Sequence, residues 1–342
     1  MSVHAINPIA TIVIPAYNVE EYVADAVASA LAQTAYSFEV LVIDDGSTDN
    51  TVDIVNSFVD PRLRLISQPN GGLNNARNTG IHEARGKYIG FLDADDMWVP
   101  HKLSAHIAHM EANASIGMSF SPSLFIEEDG SSMGLQQDPQ LTDIAAADII
   151  ARNPIGNGSA ALMRRCALEA IAYRPKDENS RDWYFDEDLV QSTDVECWLR
   201  LALTTDWVIE GIPECLTLYR TNRKGLSANI DRQFKTWQQM IDKTAGYAPA
   251  FIQQHVPRAR AYQMRYLARR AVNLRDRKMA LTLSLKALRA YPLMLIEEPI
   301  KTTATFGAAL ILKIVGPKIY AQAEQMAINA LVYSHSEKTI PH

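Results

Sequence analysis

Residues 87–96 read Lys-Tyr-Ile-Gly-Phe-Leu-Asp-Ala-Asp-Asp, and this stretch decides how the first part of the chain is interpreted. Its first six residues are mostly apolar and predict a buried β-strand, which three carboxylates follow directly. If the backbone is still extended there, the side chains of Asp93 and Asp95 leave the same face. Carboxylates at that range repel each other unless a cation lies between them, and they suit Mg²⁺ or Mn²⁺. A solvated acidic turn is the alternative for such a pair taken alone.

Upstream of this stretch, short apolar strands alternate with helical patterns. Residues 10–14, 38–43 and 63–66 are apolar runs of strand length, and each is followed by a segment with helical character. Strands that are apolar throughout and alternate with helices predict a mainly parallel sheet covered by helices on both faces. We predict that Asn18 caps the first helix, with Glu21 completing a capping box.

Polar motifs lie at the ends of three predicted strands, at residues 15–18, 44–47 and 93–96. Ligands of such sheets bind beyond the carboxyl ends of the strands, so we expect these motifs to line one crevice. Neither the glycine pattern of a dinucleotide fold nor that of a P-loop is present. Because acidic loops repel a bare diphosphate, the acid content favours a nucleoside diphosphate bound together with a divalent cation.

Three side chains near this crevice have chemistry that suits a nucleotide. Asp45 can accept hydrogen bonds from a base N–H, and Tyr17 offers a ring for stacking. Arg77, on the helix that Gly71 and Gly72 open, can contact phosphate or hold an aspartate. A surface position on that helix is an equally good interpretation of Arg77 taken alone.

Four segments resemble those of the family 2 glycosyltransferases in order and spacing. They are Pro-Ala-Tyr-Asn at 15–18, Ile-Asp-Asp-Gly-Ser-Thr-Asp at 43–49, Asn-Gly-Gly-Leu-Asn-Asn-Ala-Arg-Asn-Thr-Gly at 70–80 and Leu-Asp-Ala-Asp-Asp at 92–96. The resemblance covers about residues 8 to 230. It implies the GT-A fold, an α/β fold with a mainly parallel sheet sandwiched by helices.

The resemblance also implies roles for single residues of the donor site. Asp45 would recognise uracil or another base, Asp95 and Asp96 would serve the ribose and the metal-bound diphosphate, and Asp93 would complete the acidic cluster. We place the Mn²⁺ or Mg²⁺ ion at Asp95 and Asp96, while direct contact by any of the three carboxylates stays open. The expected nucleotide-binding residues are Pro15, Ala16, Tyr17, Asn18, Asp45, Gly71, Arg77, Asp93, Ala94 and Asp95.

The catalytic base is expected in the acceptor half. An inverting sugar transfer needs a base for the proton of the acceptor hydroxyl, and a carboxylate is the usual choice. The family places it at the start of a helix that reads Glu-Asp-x-x-x-Trp-Leu-Arg, and residues 193–200, Thr-Asp-Val-Glu-Cys-Trp-Leu-Arg, resemble that segment. Asp194 is therefore the expected base, although a mere helix-start residue is the alternative. The expected acceptor-binding residues are Asn157, Gly158, Trp183, Asp194 and Trp198.

Two further features belong to this half. If Asp194 is not the base, Glu187, Asp188 and Glu196 are the next candidates. Residues 219–222, Tyr-Arg-Thr-Asn, match a Tyr-Arg-x-His segment of the family, with Asn222 in place of the histidine.

The sequence predicts a division near residue 230. Residues 1–230 form the GT-A domain, with a nucleotide-sugar half at 8–110 and an acceptor half at 111–230, and residues 231–342 form an all-α C-terminal extension. There, arginines and lysines between Arg258 and Arg289 face a single acid, and an apolar run at 306–315 follows. Such a segment can lie on an anionic membrane. A helical packing or dimerisation element is the alternative.

Composition limits the function and the compartment. The 342 residues carry a formal net charge of −6, which gives no electrostatic support for binding nucleic acid. Three cysteines without metal-ligand spacing suit a reducing compartment. We see no secretory signal and no uninterrupted apolar segment of the roughly 18 residues that a membrane span needs. We therefore expect a cytoplasmic protein, with peripheral contact at the inner membrane face if the tail binds lipid.

Taken with the resemblance, these observations predict an inverting, metal-dependent glycosyltransferase. It would move a sugar from a nucleoside diphosphate donor, a UDP-sugar by preference, to a hydroxyl of a glycan or lipid-linked acceptor in cell-surface polysaccharide synthesis. A catalytically inactive subunit that binds sugar nucleotides or glycans is the alternative from another class. A nucleotidyltransferase fits less well, because residues 15–18 are not the basic, glycine-rich phosphate loop that it needs.

Overall fold

The computed structural model describes residues 7–175, 181–221 and 230–336 of the chain, with the side chains of Gln325 and of residues 327–336 left out. The chain divides into two compact units. The first consists of Met1–Ala228 and Lys235–Pro249, and the second of Asn229–Phe234 and Ala250–His342.

Two β-sheets organise the first unit. Its strands are β1 Ala10–Ala16, β2 Phe38–Asp44, β3 Leu63–Ser67, β4 Tyr88–Phe91, β5 Met97–Trp98, β6 Ile116–Phe120, β7 Ser123–Ile126, β8 Ser132–Gln136, β9 Ala161–Arg164, β10 Val208–Gly211 and β11 Thr217–Arg220. Seven of them form the main sheet in the order β10-β6-β9-β4-β1-β2-β3, and β5-β11-β7-β8 form the smaller one. In the main sheet only β9 runs antiparallel to its neighbours, β4 and β6.

Helices flank the main sheet. Those of the first unit are α1 Val23–Leu31, α2 Thr51–Asn56, α3 Leu73–Glu83, α4 Lys102–Ala112, α5 Ala146–Arg152, α6 Arg165–Ala170 and α7 Thr193–Thr204. Every residue of β1 and β2 is buried, as expected for central strands that are covered on both faces. The prediction of a mainly parallel α/β sheet with helices and a C-terminal helical region is confirmed.

The strand register brings the predicted polar loops to one edge of the sheet. Ala16, the last residue of β1, pairs with Asp44, the last residue of β2. The amide of Asp45 donates to the carbonyl of Ala16 over 2.8 Å. Strand β4 is parallel to β1 and ends beside Val13, so its acidic loop leaves at the same edge.

Two local predictions are wrong. Helix α1 begins at Val23 and its N-cap, Tyr22, makes no side-chain capping bond, because Asn18 has a positive φ of 49° and accepts a hydrogen bond from the Thr48 amide instead. The backbone is also not extended after Leu92. The amide of Asp96 donates to the carbonyl of Asp93 over 2.9 Å, so the acidic motif forms a turn and alternation along a strand does not set its side-chain directions.

The second unit is helical. The remaining helices are α8 Ile230–Tyr247, α9 Pro249–Asn273, α10 Arg277–Ala290, α11 Met294–Glu297 and α12 Pro299–Ser336. Helix α8 contributes to both units. The core of the second unit packs Leu267 and Ala271 of α9 with Ala280 of α10 and Leu312 of α12.

Candidate active site

Asp45 organises the loop between β2 and α3. Its Oδ1 accepts hydrogen bonds from Gln68 Nε2 at 2.7 Å and from the Gly71 amide at 2.9 Å, and its Oδ2 accepts one from the Gly72 amide at 2.7 Å. Gly72 has a φ of 89°, which lets this backbone turn back towards the carboxylate without strain. Asp45 is buried, and the second lone pair of Oδ2 is the part of it that remains for a ligand.

The loop after β1 lies against the loop after β2. Pro15 and Ala16 are buried within β1, whereas the side chain of Tyr17 is 50% exposed and is free to stack on a planar ligand. Asn18 ties the two loops together, because its amide donates to Ser47 Oγ and its Oδ1 accepts from the Thr48 amide. The structure therefore brings the sequence-predicted residues 15–18 and Asp45 to one edge.

Arg77 is a buried cation on α3 and not a surface residue. Its Nη2 donates to Asp93 Oδ1 over 2.6 Å, and its guanidinium lies 5.2 Å from the centre of the Phe185 ring. Its Nε has no hydrogen-bond partner among the described residues. A Cβ atom on Gly158 would lie 2.6 Å from Arg77 Nη2, so the absence of a side chain at residue 158 makes room for this guanidinium.

Asp96 is held in the protein interior. Its Oδ2 accepts a hydrogen bond from Ser159 Oγ at 2.6 Å, and its Oδ1 accepts one from the Arg220 amide at 2.9 Å. Ser159 Oγ also accepts from the Asp93 amide, so it joins both ends of the acidic turn. Burial and the nearby charges of Asp95 and Asp93 raise the pKa of Asp96 well above its usual range.

Asp95 is partly exposed, and its carboxylate accepts no hydrogen bond from a described side chain. Burial, followed by the charge of Asp93, raises the pKa of Asp95 to about 6. No group of three possible protein ligands exists among the described residues. Mg²⁺ and Mn²⁺ need only one or two protein carboxylates when a diphosphate supplies further oxygens. Asp95 fits such an ion, because its carboxylate is accessible and is repelled by Asp93.

Two cations that sequence reasoning left without a role lie near this turn. Arg220, at the end of β11, donates from Nε to the backbone carbonyl of Asp95 at 2.8 Å and forms an ion pair with Asp25 at 3.0 Å. Lys102 is fully buried, and its Nζ donates to the carbonyl of Ala160 over 2.9 Å. Burial lowers the pKa of Lys102 well below its usual range, while the charge of Asp96 opposes that shift. Arg220 belongs to the segment 219–222 that resembles the family, whereas no sequence pattern pointed to Lys102. Asn222, of the same segment, lies outside the described residues.

Asp194 lies in the first turn of α7, where the helix dipole favours a negative charge. Burial raises the pKa of Asp194, and the charge of Asp93 acts in the same direction, whereas the charge of Arg77 and a hydrogen bond from the Val195 backbone lower it. Asp194 is partly exposed. It therefore shares an electrostatic neighbourhood with the Arg77–Asp93 pair.

The other candidate bases differ from Asp194. Glu196 is buried and bound by two nitrogens of Arg200, at 3.1 and 3.0 Å. The carboxylate of Glu187 accepts from Asn75 at 2.6 Å and Asn78 at 2.9 Å. Among these three alternatives only Asp188 is exposed.

Two asparagines of α3, which sequence reasoning did not single out, hold the loop that precedes α7. Asn78 donates to the carbonyl of Phe185 at 2.8 Å and accepts from its amide at 2.9 Å. Asn74 donates to the carbonyls of Asp186 and Leu189 at 2.8 and 2.6 Å. The 70–80 motif thus supports the acceptor half as well as the donor half.

The expected acceptor-binding residues have different environments. Gly158 lies against Arg77 and close to Asp93. Asn157 donates to Ser123 Oγ at 3.0 Å, while its Oδ1 has no partner among the described residues. Trp183 pairs with Tyr173 in an isolated β-bridge. Trp198 is completely buried, 6.1 Å from the ring of Phe185, so an effect of Trp198 on the acceptor would have to act through the position of α7.

Known proteins are similar to this chain in sequence. TuaG of Bacillus subtilis, which is named for teichuronic acid biosynthesis, is 28% identical over 235 residues, or 68% of this chain and 86% of TuaG. The Escherichia coli β-1,3-glucosyltransferase WfaP, whose name gives UDP-Glc and GlcNAc-diphosphoundecaprenol as its substrates, is 39% identical over 130 residues, or 38% of this chain and 51% of WfaP. The aligned part covers only 13% to 26% of the first curated relatives that the chain matches.

Solved structures show the same fold. S. aureus TarS in complex with UDP-GlcNAc aligns with a TM-score of 0.52 at 17% identity, over 91% of this chain and 82% of that one. The mannosyltransferase PcManGT from Pyrobaculum calidifontis, in complex with GDP-Man and Mn²⁺, aligns with a TM-score of 0.54 at 19% identity, over 91% and 88%. Residues 11–171 match the profile of Glycosyl transferase family 2. This segment of the chain contains the Asp45 loop, α3, the acidic turn and Gly158. Residues 11–171 are therefore a glycosyl transferase family 2 domain.

Proposed function

We propose that this protein is an inverting, metal-dependent glycosyltransferase that moves a sugar from a UDP-sugar to a hydroxyl of a glycan or lipid-linked acceptor. The observation that carries the proposal is the contrast between two partly exposed carboxylates. Asp95 belongs to the acidic turn and has no side-chain partner among the described residues, while Asp194 lies on another element beside Arg77. Carboxylates in such different environments suit different roles in one reaction.

In the proposed reaction Asp194 accepts the proton of the acceptor hydroxyl. The acceptor oxygen forms a bond to the anomeric carbon from the face opposite the nucleotide, the bond from that carbon to the diphosphate oxygen breaks, and the diphosphate leaves with the electron pair. The raised pKa of Asp194 lies closer to neutral pH than that of an ordinary aspartate. Its carboxylate is therefore a stronger base. Arg77 holds Asp93 and moderates the pKa of Asp194.

The donor site follows from the edge of the sheet. Asp45 would accept from the base, Tyr17 would stack on it, and Asp95, with Asp96 behind it, would hold Mn²⁺ or Mg²⁺. When bound, the divalent cation neutralises charge on the departing diphosphate. The complex of PcManGT with GDP-Man and Mn²⁺ supports a cation in this fold.

The acceptor and the location are proposed from relatives. The name of WfaP contains a diphosphoundecaprenol-linked sugar, and that supports a lipid-linked acceptor for this chain. An enzyme with such an acceptor would act in the cytoplasm at the inner face of the membrane.

Replacing Asp194 tests this function. Asp194→Asn should leave UDP binding in Mn²⁺ intact and lower the transfer rate by about 10²–10⁴-fold, because the proton acceptor is lost. The wild-type rate should be full above the raised pKa of Asp194 and fall as the pH drops through it, whereas the residual rate of the variant should lack the part of this fall that Asp194 causes. Rates are measured against pH with a panel of UDP-sugars and polyprenyl-diphosphate acceptors.

Asp188→Asn is the matched control, since Asp188 is an exposed acid in the preceding loop. It should keep the wild-type rate. A normal rate in Asp194→Asn, or a large loss in Asp188→Asn, would move the base to another residue. A wild-type protein that binds UDP-sugars but neither transfers nor hydrolyses them would be the inactive binding subunit.

A further inference from the structure

The second unit exposes an unusual number of large apolar side chains between residues 293 and 314. Ile296 is 77% exposed, Ile300 80% and Ile314 73%, and Leu293 and Ile311 are more than half exposed. At about 100° per residue, Ile300, Ile311 and Ile314 fall within about 60° of one another on α12. We call Ile300, Ile311 and Ile314 the outer stripe of α12.

The opposite side of α12 is packed. Thr302, Ala309 and Leu312 are buried, and the last two belong to the helical core of the second unit. A helix with one side in a core normally presents polar residues to water on the other side. Helix α12 presents isoleucines, and contiguous apolar surface of this kind marks an interaction site.

Within α12 the charges around the outer stripe have one sign as far as Ala323. From Pro299 to Ala323 the charged residues are Lys301, Lys313 and Lys318, and all three are exposed. The next acid, Glu324, forms an ion pair with Arg275. Lys301 also pairs with Glu298, just before the helix, at 3.5 Å. The attraction of the stripe to a bilayer that contains anionic lipids therefore comes mainly from Lys313 and Lys318.

The basic run between Arg258 and Arg289 contributes less charge than its sequence suggests. Arg258 pairs with Glu297 at 3.0 Å, Arg265 pairs with Glu298, and Arg275 pairs with Glu324. These acids lie outside the run and partly neutralise it. Burial of apolar side chains, and not adsorption of this run, is therefore the main force available for attachment.

Geometry favours a helix that lies in the plane of the membrane. By length and composition, Pro299–Glu324 could cross a membrane, which differs from the sequence expectation because the mean hydropathy of 1.3 tolerates single polar residues. However, Gly316 interrupts the helix with a φ of 80°. The part before it, residues 299–315, is roughly 25 Å long at 1.5 Å per residue, which is shorter than the ~30 Å hydrocarbon core.

We propose that the outer stripe of α12, with the neighbouring Ile296, inserts into one leaflet of a lipid bilayer and holds the protein there by apolar contact that resists salt. The inference rests on the proposed function, because a lipid-linked acceptor lies in the membrane and the attached enzyme would meet it there. The lysines at 301, 313 and 318 lie at the level of the lipid phosphates and give a preference for anionic lipid.

The test is sedimentation of the full-length protein with phosphatidylcholine vesicles and with vesicles containing phosphatidylglycerol, at low and at high salt. The protein should pellet with both kinds, more strongly with the anionic lipid, and stay bound at high salt. The Ile300→Ser/Ile314→Ser variant should bind at least about tenfold more weakly. Both side chains are exposed, so the variant should fold, and circular dichroism checks this.

Val59→Ser is the control, because Val59 is fully exposed in the first unit and its loss should leave binding unchanged. No sedimentation at low salt, or release as the salt rises, would overturn the proposal. So would light scattering that shows a dimer in the wild type and a monomer in the double variant, since the stripe would then contact a second copy.

Donor hydrolysis in the same samples separates this proposal from the proposed function. The double variant should hydrolyse the UDP-sugar at the wild-type rate without vesicles. Wild-type protein that binds vesicles but never turns over any sugar nucleotide would contradict the function and leave the attachment standing.

Discussion

At the scale of single residues, Asp93, Asp95 and Asp96 are near neighbours with three different environments. Arg77 neutralises Asp93, and Ser159 with the Arg220 amide holds Asp96 in the interior. Asp95 has no side-chain donor among the described residues, and burial, followed by the charge of Asp93, raises its pKa to about 6. A divalent cation would relieve this repulsion, because it favours the ionised carboxylate.

Asp95→Asn should remove the dependence of donor binding on metal. In the wild type, Mn²⁺ should tighten UDP binding at least about tenfold over chelator, or about 1.4 kcal/mol. In Asp95→Asn the two affinities should be equal, as measured by titration calorimetry.

The control for this change is Asp53→Asn, an exposed acid of α2, which should behave as the wild type. If Asp95→Asn keeps the metal effect and Asp96→Asn loses it, Asp96 is the ligand and its hydrogen bonds with Ser159 must rearrange on binding.

At the scale of elements, the sequence predicted the strand ends and their polar loops but not the contacts between distant segments. Ser159 bridges the acidic turn from 63 residues away, and Arg220 reaches Asp96 from 124 residues away. Local periodicity and motif spacing carry no signal for such pairs. The predicted capping box at Asn18 is wrong for the same reason, because the side chain of Asn18 accepts a hydrogen bond from the Thr48 amide of another loop.

Gly158→Ala should damage catalysis through one such contact. The new Cβ would lie 2.6 Å from Arg77 Nη2, so the guanidinium must move away from Asp93 and from the neighbourhood of Asp194. We expect kcat/KM to fall at least about tenfold, which corresponds to about 1.4 kcal/mol of transition-state stabilisation. The acid limb of the pH profile should shift upward, since the charge of Arg77 lowers the pKa of Asp194.

Gly246→Ala in α8 is the matched control, because no atom lies within 4 Å of its added Cβ. It should leave kcat/KM unchanged. An active Gly158→Ala enzyme with an unshifted pH profile would show that the position of Arg77 does not matter for the reaction.

At the scale of the whole molecule, the amphipathic pattern of a helix does not predict which of the two compact units the helix packs against. The sequence places a domain boundary after residue 230, and that boundary stays a prediction. In the structure, Lys235–Pro249 belongs to the first compact unit, and Trp237, Met240 and Ile241 are buried. Within the same unit Lys243 pairs with Asp186, in the loop that leads to α7.

We therefore expect the chain to tolerate truncation after Pro249 but not after Asp231. The shorter chain loses three buried apolar side chains at about 1.5–3 kcal/mol each, a loss of about 5 kcal/mol or more. Small domains are stable by only about 5–15 kcal/mol, so the chain that ends at Asp231 should be much less stable than the chain that ends at Pro249. The chain that ends at Pro249 should unfold cooperatively in urea and be stabilised by UDP with Mn²⁺. Trp237→Ala in the full chain isolates the largest contribution and should cost about 3–5 kcal/mol. Equal stability of the two truncated chains would show that the first unit ends before α8.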